Sequence, residues 1–272
     1  MATFGESDDL RGADFDRADL SGARFFRSDL SSARFTRSDL SGVVLRGVDV
    51  AGAEIESPWL FDGGAVLVNG VDVVPLVDAE LDRRFPGRAG RDAGTPEGLR
   101  VAWAAVERTW AATLERVETM PAGTVDASVG GEWSFGQTLR HLVMATDTWL
   151  RRAVLEVDQP YDPLGQPDAS YASSGNDPSV FATGTPSYAE VLEVRAGRIA
   201  MVRDFLATVT QDDLAAPRTN PWDPQNPETV LSCLHTILGE EWEHHRYAVR
   251  DLDAMPAEPP GGRSGQPGVR QA

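Results

Sequence analysis

The chain has 272 residues, 41% of them hydrophobic, which is enough for one large or two small cores. The net charge of −17 and the lack of any basic patch argue against a nucleic-acid partner, and no signal-peptide pattern or membrane-length apolar run is present, so a soluble cytoplasmic protein with no membrane partner is expected. All 25 basic residues are Arg, which excludes a lysine Schiff base or P-loop lysine, and the one cysteine, Cys233, excludes an internal disulfide and a Cys-rich zinc site.

Residues 8–55 repeat every five positions. Leu10, Phe15, Leu20, Phe25, Leu30, Phe35, Leu40, Leu45, Val50 and Ile55 are the large members, and a mostly small residue lies two positions before each. A period of five fits neither a helix nor an ordinary strand, and self-similarity at a fixed period marks a solenoid. One large and one small inward residue per unit suits a square coil. Ala13-Asp14-Phe15 and Ala18-Asp19-Leu20 resemble the A-(D/N)-L-x-x consensus of the pentapeptide-repeat family. That resemblance implies a right-handed quadrilateral β-helix, here of ten units. Some members of that family imitate DNA, but the acidic and Arg residues of this short tract nearly balance, so a cap or a docking surface for a protein partner is the expectation.

Residues 58–92 form a connector. Ala65 to Val68, Asn69-Gly70, then Val71 to Val74 reads as a hairpin, because Asn-Gly accepts the positive φ angles of a type I′ turn. Leu76 to Phe85 suits a short helix, and Pro86, Gly87 and Gly90 break the chain.

The remainder reads as helices. Thr95, with Pro96 and Glu97, opens the first, whose stripe is Leu99, Val106, Trp110, Leu114 and Val117. Ser134 and Gln137 form a capping box for the second, with Leu139, Leu142 and Trp149 on its stripe and His141 at the margin. Residues 157–186 form a long crossover loop able to cover a site, a length uncommon without a purpose. Ser187 and Glu190 cap the third helix; Leu231 to Leu252 is the fourth. The Pro- and Gly-rich tail, 255–272, is expected to be disordered. Four such helices with one long crossover suggest a four-helix bundle.

The fourth helix carries the chemistry. Taking 100° per residue, Val230, Leu234, Ile237, Leu238, Ala248 and Leu252 fall within about 60° of Glu241, and His245 lies at about 40°. A carboxylate and an imidazole thus share a core-facing stripe, which is costly unless they are paired or ligated. They could bond to each other. But three of the four histidines, His235, His244 and His245, lie in this helix, and the fourth is His141. Two metal-type side chains one turn apart plus one from a neighbouring helix is how bundles build metal sites. Glu240 and His244 lie at the stripe's edge, where either suits a catalytic general base or plain surface.

Trp133-Ser134, His141, and His245-Arg246 near the end of the fourth helix resemble the DinB-like superfamily, which includes mycothiol-dependent maleylpyruvate isomerases and bacillithiol transferases. The resemblance covers residues 93–254. It implies a bundle holding a divalent metal on one histidine of the second helix and an H-x-x-x-H pair of the fourth. Matched position by position, the expected ligands are His141, Glu241 and His245, with Glu241 a departure from histidine; His244 in place of His245, with the helix rotated, is the lesser alternative.

The expected fold is therefore mixed, in two domains: a pentapeptide-repeat β-helix (1–57), the connector (58–92), an all-α DinB-like four-helix bundle (93–254) and the tail. The expected function is a metal-dependent thiol S-transferase or hydrolase acting on a small-molecule substrate. Zinc, nickel or iron is the metal, with mycothiol or another small thiol as co-substrate, and a homodimer is open. The rival is a non-enzymatic scaffold with a degenerate site, with DNA mimicry third.

Overall fold

The computed structural model describes residues 4–5, 8–168 and 171–255. The expected tail lies outside the described residues from 256 onward. The chain separates into two compact units, Met1–Ile55 and Glu56–Ala272.

In the first unit the five-residue pattern becomes a backbone that turns with a period of ten. The amides of Ala13, Ala23, Ala33, Val43 and Ala53 donate to the carbonyls of Leu10, Leu20, Leu30, Leu40 and Val50 at 2.9–3.0 Å. The carboxylates of Asp19, Asp29, Asp39 and Asp49 accept from the amides two residues on at 2.8–2.9 Å, which are Asx turns. Positive φ falls at Gly12, Gly22, Ser32, Gly42 and Gly52, where the turn requires it.

The expected inward stacking of the large residues is not found. Every described residue of this unit is exposed, Leu20 at 46% and Phe25 at 57%. A solenoid buries a coil only between neighbouring coils, and a short array has mostly ends. The backbone hydrogen bonds among the described residues here are turns closed over three residues, not ladders between coils.

The second unit starts with the hairpin. Strands β1 (Leu67–Val68) and β2 (Val71–Asp72) pair antiparallel. Asn69 and Gly70 both take positive φ, 50° and 83°, as a type I′ turn needs. Helix α1 (Val74–Arg84) follows. Rather than standing apart as a connector, this stretch belongs to the second unit. Arg88 is buried against Asp82 at 2.6 Å and Asp78 at 2.8 Å, under the ring of Phe61. Gly87 sits at φ +103°, and a Cβ there would lie 2.5 Å from the Cβ of Ala105.

Four long helices make the core: α2 (Pro96–Glu118), α3 (Phe135–Thr146), α4 (Tyr188–Thr208) and, after the short α5 (Gln211–Leu214), α6 (Val230–Ala254). Their starts follow the sequence signals. Thr95 Oγ1 accepts from the Gly98 amide, and Ser134 and Ser187 close capping boxes with Gln137 and Glu190. A third box, Thr229 with Ser232, opens α6. Helices α2 and α3 each pack on both α4 and α6. Leu99, Trp103, Leu139, Leu142, Leu234 and Ile237 are fully buried among them. A second small pair, β3 (Pro217–Arg218) with β4 (Glu228–Thr229), ties the last loop ahead of α6. Among the described residues no helix is long and apolar enough to cross a membrane.

Helix α3 does not stop at Thr146. It continues as a π-helix over Asp147–Val154, which places Asp147 fully inside the protein. The Asp147 carboxylate accepts from Arg198 Nε at 2.6 Å, from Arg151 at 3.3 Å and from the Asp162 amide at 2.8 Å. The crossover loop is therefore tied to the core at its first turn. Arg140 Nε adds a bond to the Leu164 carbonyl at 2.8 Å. Tyr171 and Phe181 bury with Met144 as a small separate apolar cluster beneath the loop.

Candidate metal centre

Helix α6 carries two carboxylate–imidazole couples in consecutive registers, Glu240 with His244 and Glu241 with His245. Each couple spans four residues and so lies along one line of the helix surface. The two lines are about 100° apart and meet different neighbours.

Glu241 and His245 take the buried line, 1% and 4% exposed. Glu241 Oε2 is bonded to Arg195 Nη2 of α4, an ion pair buried on both sides. The Thr113 hydroxyl of α2 donates to the Thr109 carbonyl, and its oxygen accepts from His245 Nε2 at 2.8 Å. Burial pushes the His245 pKa down to about 4, so its ring is neutral. The edges of Phe85, Trp110 and Trp242 surround it.

Glu240 and His244 take the other line and face His141 of α3. Glu240 Oε2 is 3.5 Å from His141 Nε2 and 3.2 Å from His244 Nε2. All three ligand atoms lie within 4.8 Å of one another, the one such group of His, Cys, Asp and Glu among the described residues. Atoms bound to zinc at about 2.0–2.1 Å in a tetrahedron stand about 3.3 Å apart, so these side chains are spaced to share one ion. His141 Nδ1 donates to the Gln166 carbonyl of the crossover loop at 3.0 Å, which turns Nε2 toward Glu240.

The electrostatics agree with a site for positive charge. Burial works against an ionised Glu240, but hydrogen bonds to His141 and His244 override it and hold the carboxyl well below its usual range. Burial also opposes charge on His141, and Glu240, the Gln166 carbonyl and the field of Asp168 outweigh it, so its pKa is raised. Trp133 roofs the cluster, its ring 4.7 Å from His141 and 6.0 Å from His244, nearly parallel to the latter. Tyr247 closes another side at 5.7 Å, under the guanidiniums of Arg246 and Arg250, which both pair with Glu56. The three donors are half-buried, 14–32% exposed at the side chain.

The expected set of His141, Glu241 and His245 is therefore not the set the structure assembles. The physical reason is that Glu241 and His245 are already bonded to Arg195 and Thr113 on the far line of α6. Of the expected ligands only His141 stands in the cluster, and Glu240 and His244, expected as general bases, stand beside it. The sequence did hold a signal for this. His141 sits at the margin of its own stripe, and a marginal residue on α3 meets marginal residues on α6. Trp133 was marked by the resemblance alone, and Gln166 had no local signal as a neighbour of the site. His235 lies elsewhere, 3.0 Å from the Ala93 carbonyl.

A family model described as the DinB superfamily matches residues 105–248, more than half of the chain. The chain belongs to the DinB superfamily. A second model, pentapeptide repeats, matches eight copies over residues 9–47. No curated protein and no solved structure matches the chain.

Proposed function

We propose that this DinB protein is a metal-dependent enzyme in which His141, Glu240 and His244 hold one divalent ion and leave other positions open. The observation that carries the reading is the meeting of these three side chains from two helices at ligand spacing. Two histidines and one carboxylate suit zinc, nickel or iron. The reaction class is transfer to, or hydrolysis by, a small nucleophile, with a low-molecular-weight thiol such as mycothiol as the co-substrate the family suggests. The metal supplies Lewis acidity, which lowers the pKa of a thiol or water brought to it. The chain does the rest. Gln166 fixes the His141 tautomer through its carbonyl, Glu240 brings the negative charge, and Trp133 and Tyr247 wall the site with aromatic surface. In a transfer, the thiol gives its proton to solvent, its sulfur bonds to an electrophilic carbon of the substrate, and the bond from that carbon to the leaving group breaks, its electron pair departing with that group, which takes up a proton from solvent.

Metal analysis of the purified chain tests this. Close to one equivalent of zinc, nickel or iron should be present, should vanish in His141→Ala and His244→Ala, and should persist in His245→Asn. Loss in the His245 variant alone, with His244 dispensable, would restore the other ligand set. Consumption of an electrophile that needs both thiol and metal establishes the transferase class. A water-only reaction assigns hydrolysis.

The exposed Leu and Phe residues of the first unit favour a second role beside this one, as a surface for a protein partner.

A further inference from the structure

The two couples on α6 are joined by the backbone in a way that gives the buried one a task. Neighbouring residues on a helix are separated by about 100° of rotation. Whatever fixes the azimuths of Glu241 and His245 therefore also fixes those of Glu240 and His244. Both fixings come from other helices: Arg195 on α4 holds Glu241, and Thr113 on α2 holds His245. Trp110 links them, stacking on the Arg195 guanidinium at 5.8 Å and meeting the His245 ring at 5.1 Å.

Geometry sets the need. A side-chain tip stands about 6 Å from the helix axis, so a rotation of about 10° moves it by about 1 Å. A preorganised site tolerates about 0.5 Å.

The buried group is also poorly made as a stabiliser. Arg195 Nε and Nη1, Glu241 Oε1 and His245 Nδ1 have no hydrogen-bond partner among the described residues. Each unmet buried polar atom costs free energy, and a buried ion pair can be replaced by apolar residues of similar volume with no loss of stability. Stability does not account for an Arg and a Glu placed here; aim does.

We propose that Arg195, Glu241, Thr113 and His245 are positioning residues that set the rotation of α6 and so hold Glu240 and His244 on His141. This rests on the metal-centre reading above. The test is the full-length double variant Arg195→Met/Glu241→Met, compared with the parent and with Glu241→Gln. The readouts are melting temperature, zinc affinity by chelator competition, and the visible spectrum of the cobalt-substituted protein. The double variant should melt at or above the parent, yet bind zinc about 10- to 100-fold more weakly, with a changed cobalt spectrum. Glu241→Gln, which still accepts from Arg195, should stay within about threefold of the parent, since a hydrogen-bonded positioning contact is retained. Parent-like affinity and spectrum in the double variant overturn the proposal. A parent that binds no metal overturns the metal-centre reading first, and this one with it. If the double variant does not fold, Thr113→Val decides: a weaker, spectrally altered site supports the proposal, and a lowered melting point with an unaltered site overturns it.

Discussion

Replacing Asp147 with Ala should loosen the crossover loop and, through it, the candidate metal centre. Asp147 is 0% exposed and accepts from Arg198, Arg151 and the Asp162 amide. Its loss leaves Arg198, 12% exposed, with Asp162 at 3.2 Å as its remaining carboxylate. Removing one partner of a buried charge pair costs about 3–5 kcal/mol, and the surviving contact to Asp162 argues for the lower end, about 3 kcal/mol. At about 2–4 °C per kcal/mol for a unit of this size, the melting temperature should fall by about 6–12 °C. The loop also loses the bond that ties Asp162 down, four residues before the Gln166 carbonyl that holds His141. Outer-shell partners of this kind are worth about tenfold or more in metal affinity, and Arg140 still holds Leu164, so about tenfold is the expectation here. Thermal unfolding by circular dichroism, limited proteolysis within 157–186 and zinc competition read the three effects. A melt within about 2 °C of the parent with unaltered loop cleavage would refute the reasoning, since it would put the cost under about 1 kcal/mol.

Gly87→Ala should cost about 2 kcal/mol by chemical denaturation, because the added Cβ meets Ala105 at 2.5 Å and φ is +103°. Leu139→Ala, at a position 1% exposed between the helices, should cost about 2–5 kcal/mol in the same assay. Burial pushes the Cys233 thiol up to about 11. Only about one molecule in a thousand then carries the thiolate at pH 8, with the fraction rising as pH rises, so a disulfide reagent should react slowly until denaturant is added. Phe25→Ser and Phe35→Ser, each at a position 57% exposed, should change stability by no more than about 0.5 kcal/mol apiece. A large loss would show that the repeat stacks its apolar residues inward after all.

Local chemistry was readable from the residues. Thr95, Ser134 and Ser187 announce helix starts, and Asn69-Gly70 announces a turn, because each acts through a bond or a φ angle within four residues of itself. The helical wheel of α6 also placed Glu241 and His245 on the buried face, where they are found. What it could not supply was their partners. Arg195 is 46 residues from Glu241 and Thr113 is 132 from His245, and no pattern along the chain marks either as the other half of a bond. Once those bonds are unseen, a carboxylate and an imidazole inside a core look like ligands in want of an ion. The neighbouring couple, one residue back on the same helix, looks like surface. The difference between the two readings is one step of about 100°, and only the positions of α2, α3 and α4 around α6 resolve it. The repeat tract was legible as pentapeptide repeats, and its period marks where the backbone turns, but not whether the large residues are buried between turns.

The π-helical run after Thr146 has a consequence for how this protein tolerates change in length. A wide turn of this kind carries one residue more than an α-helical path would need. Deleting a single residue between 148 and 154 would let the wide turn tighten into an α-helical one and leave the helix beyond it close to its present bearing. His141 lies upstream and would keep its bearing. The extra residue is thus one the helix can lose while both the aim of the imidazole and the route by which the chain leaves the helix stay close to what they are.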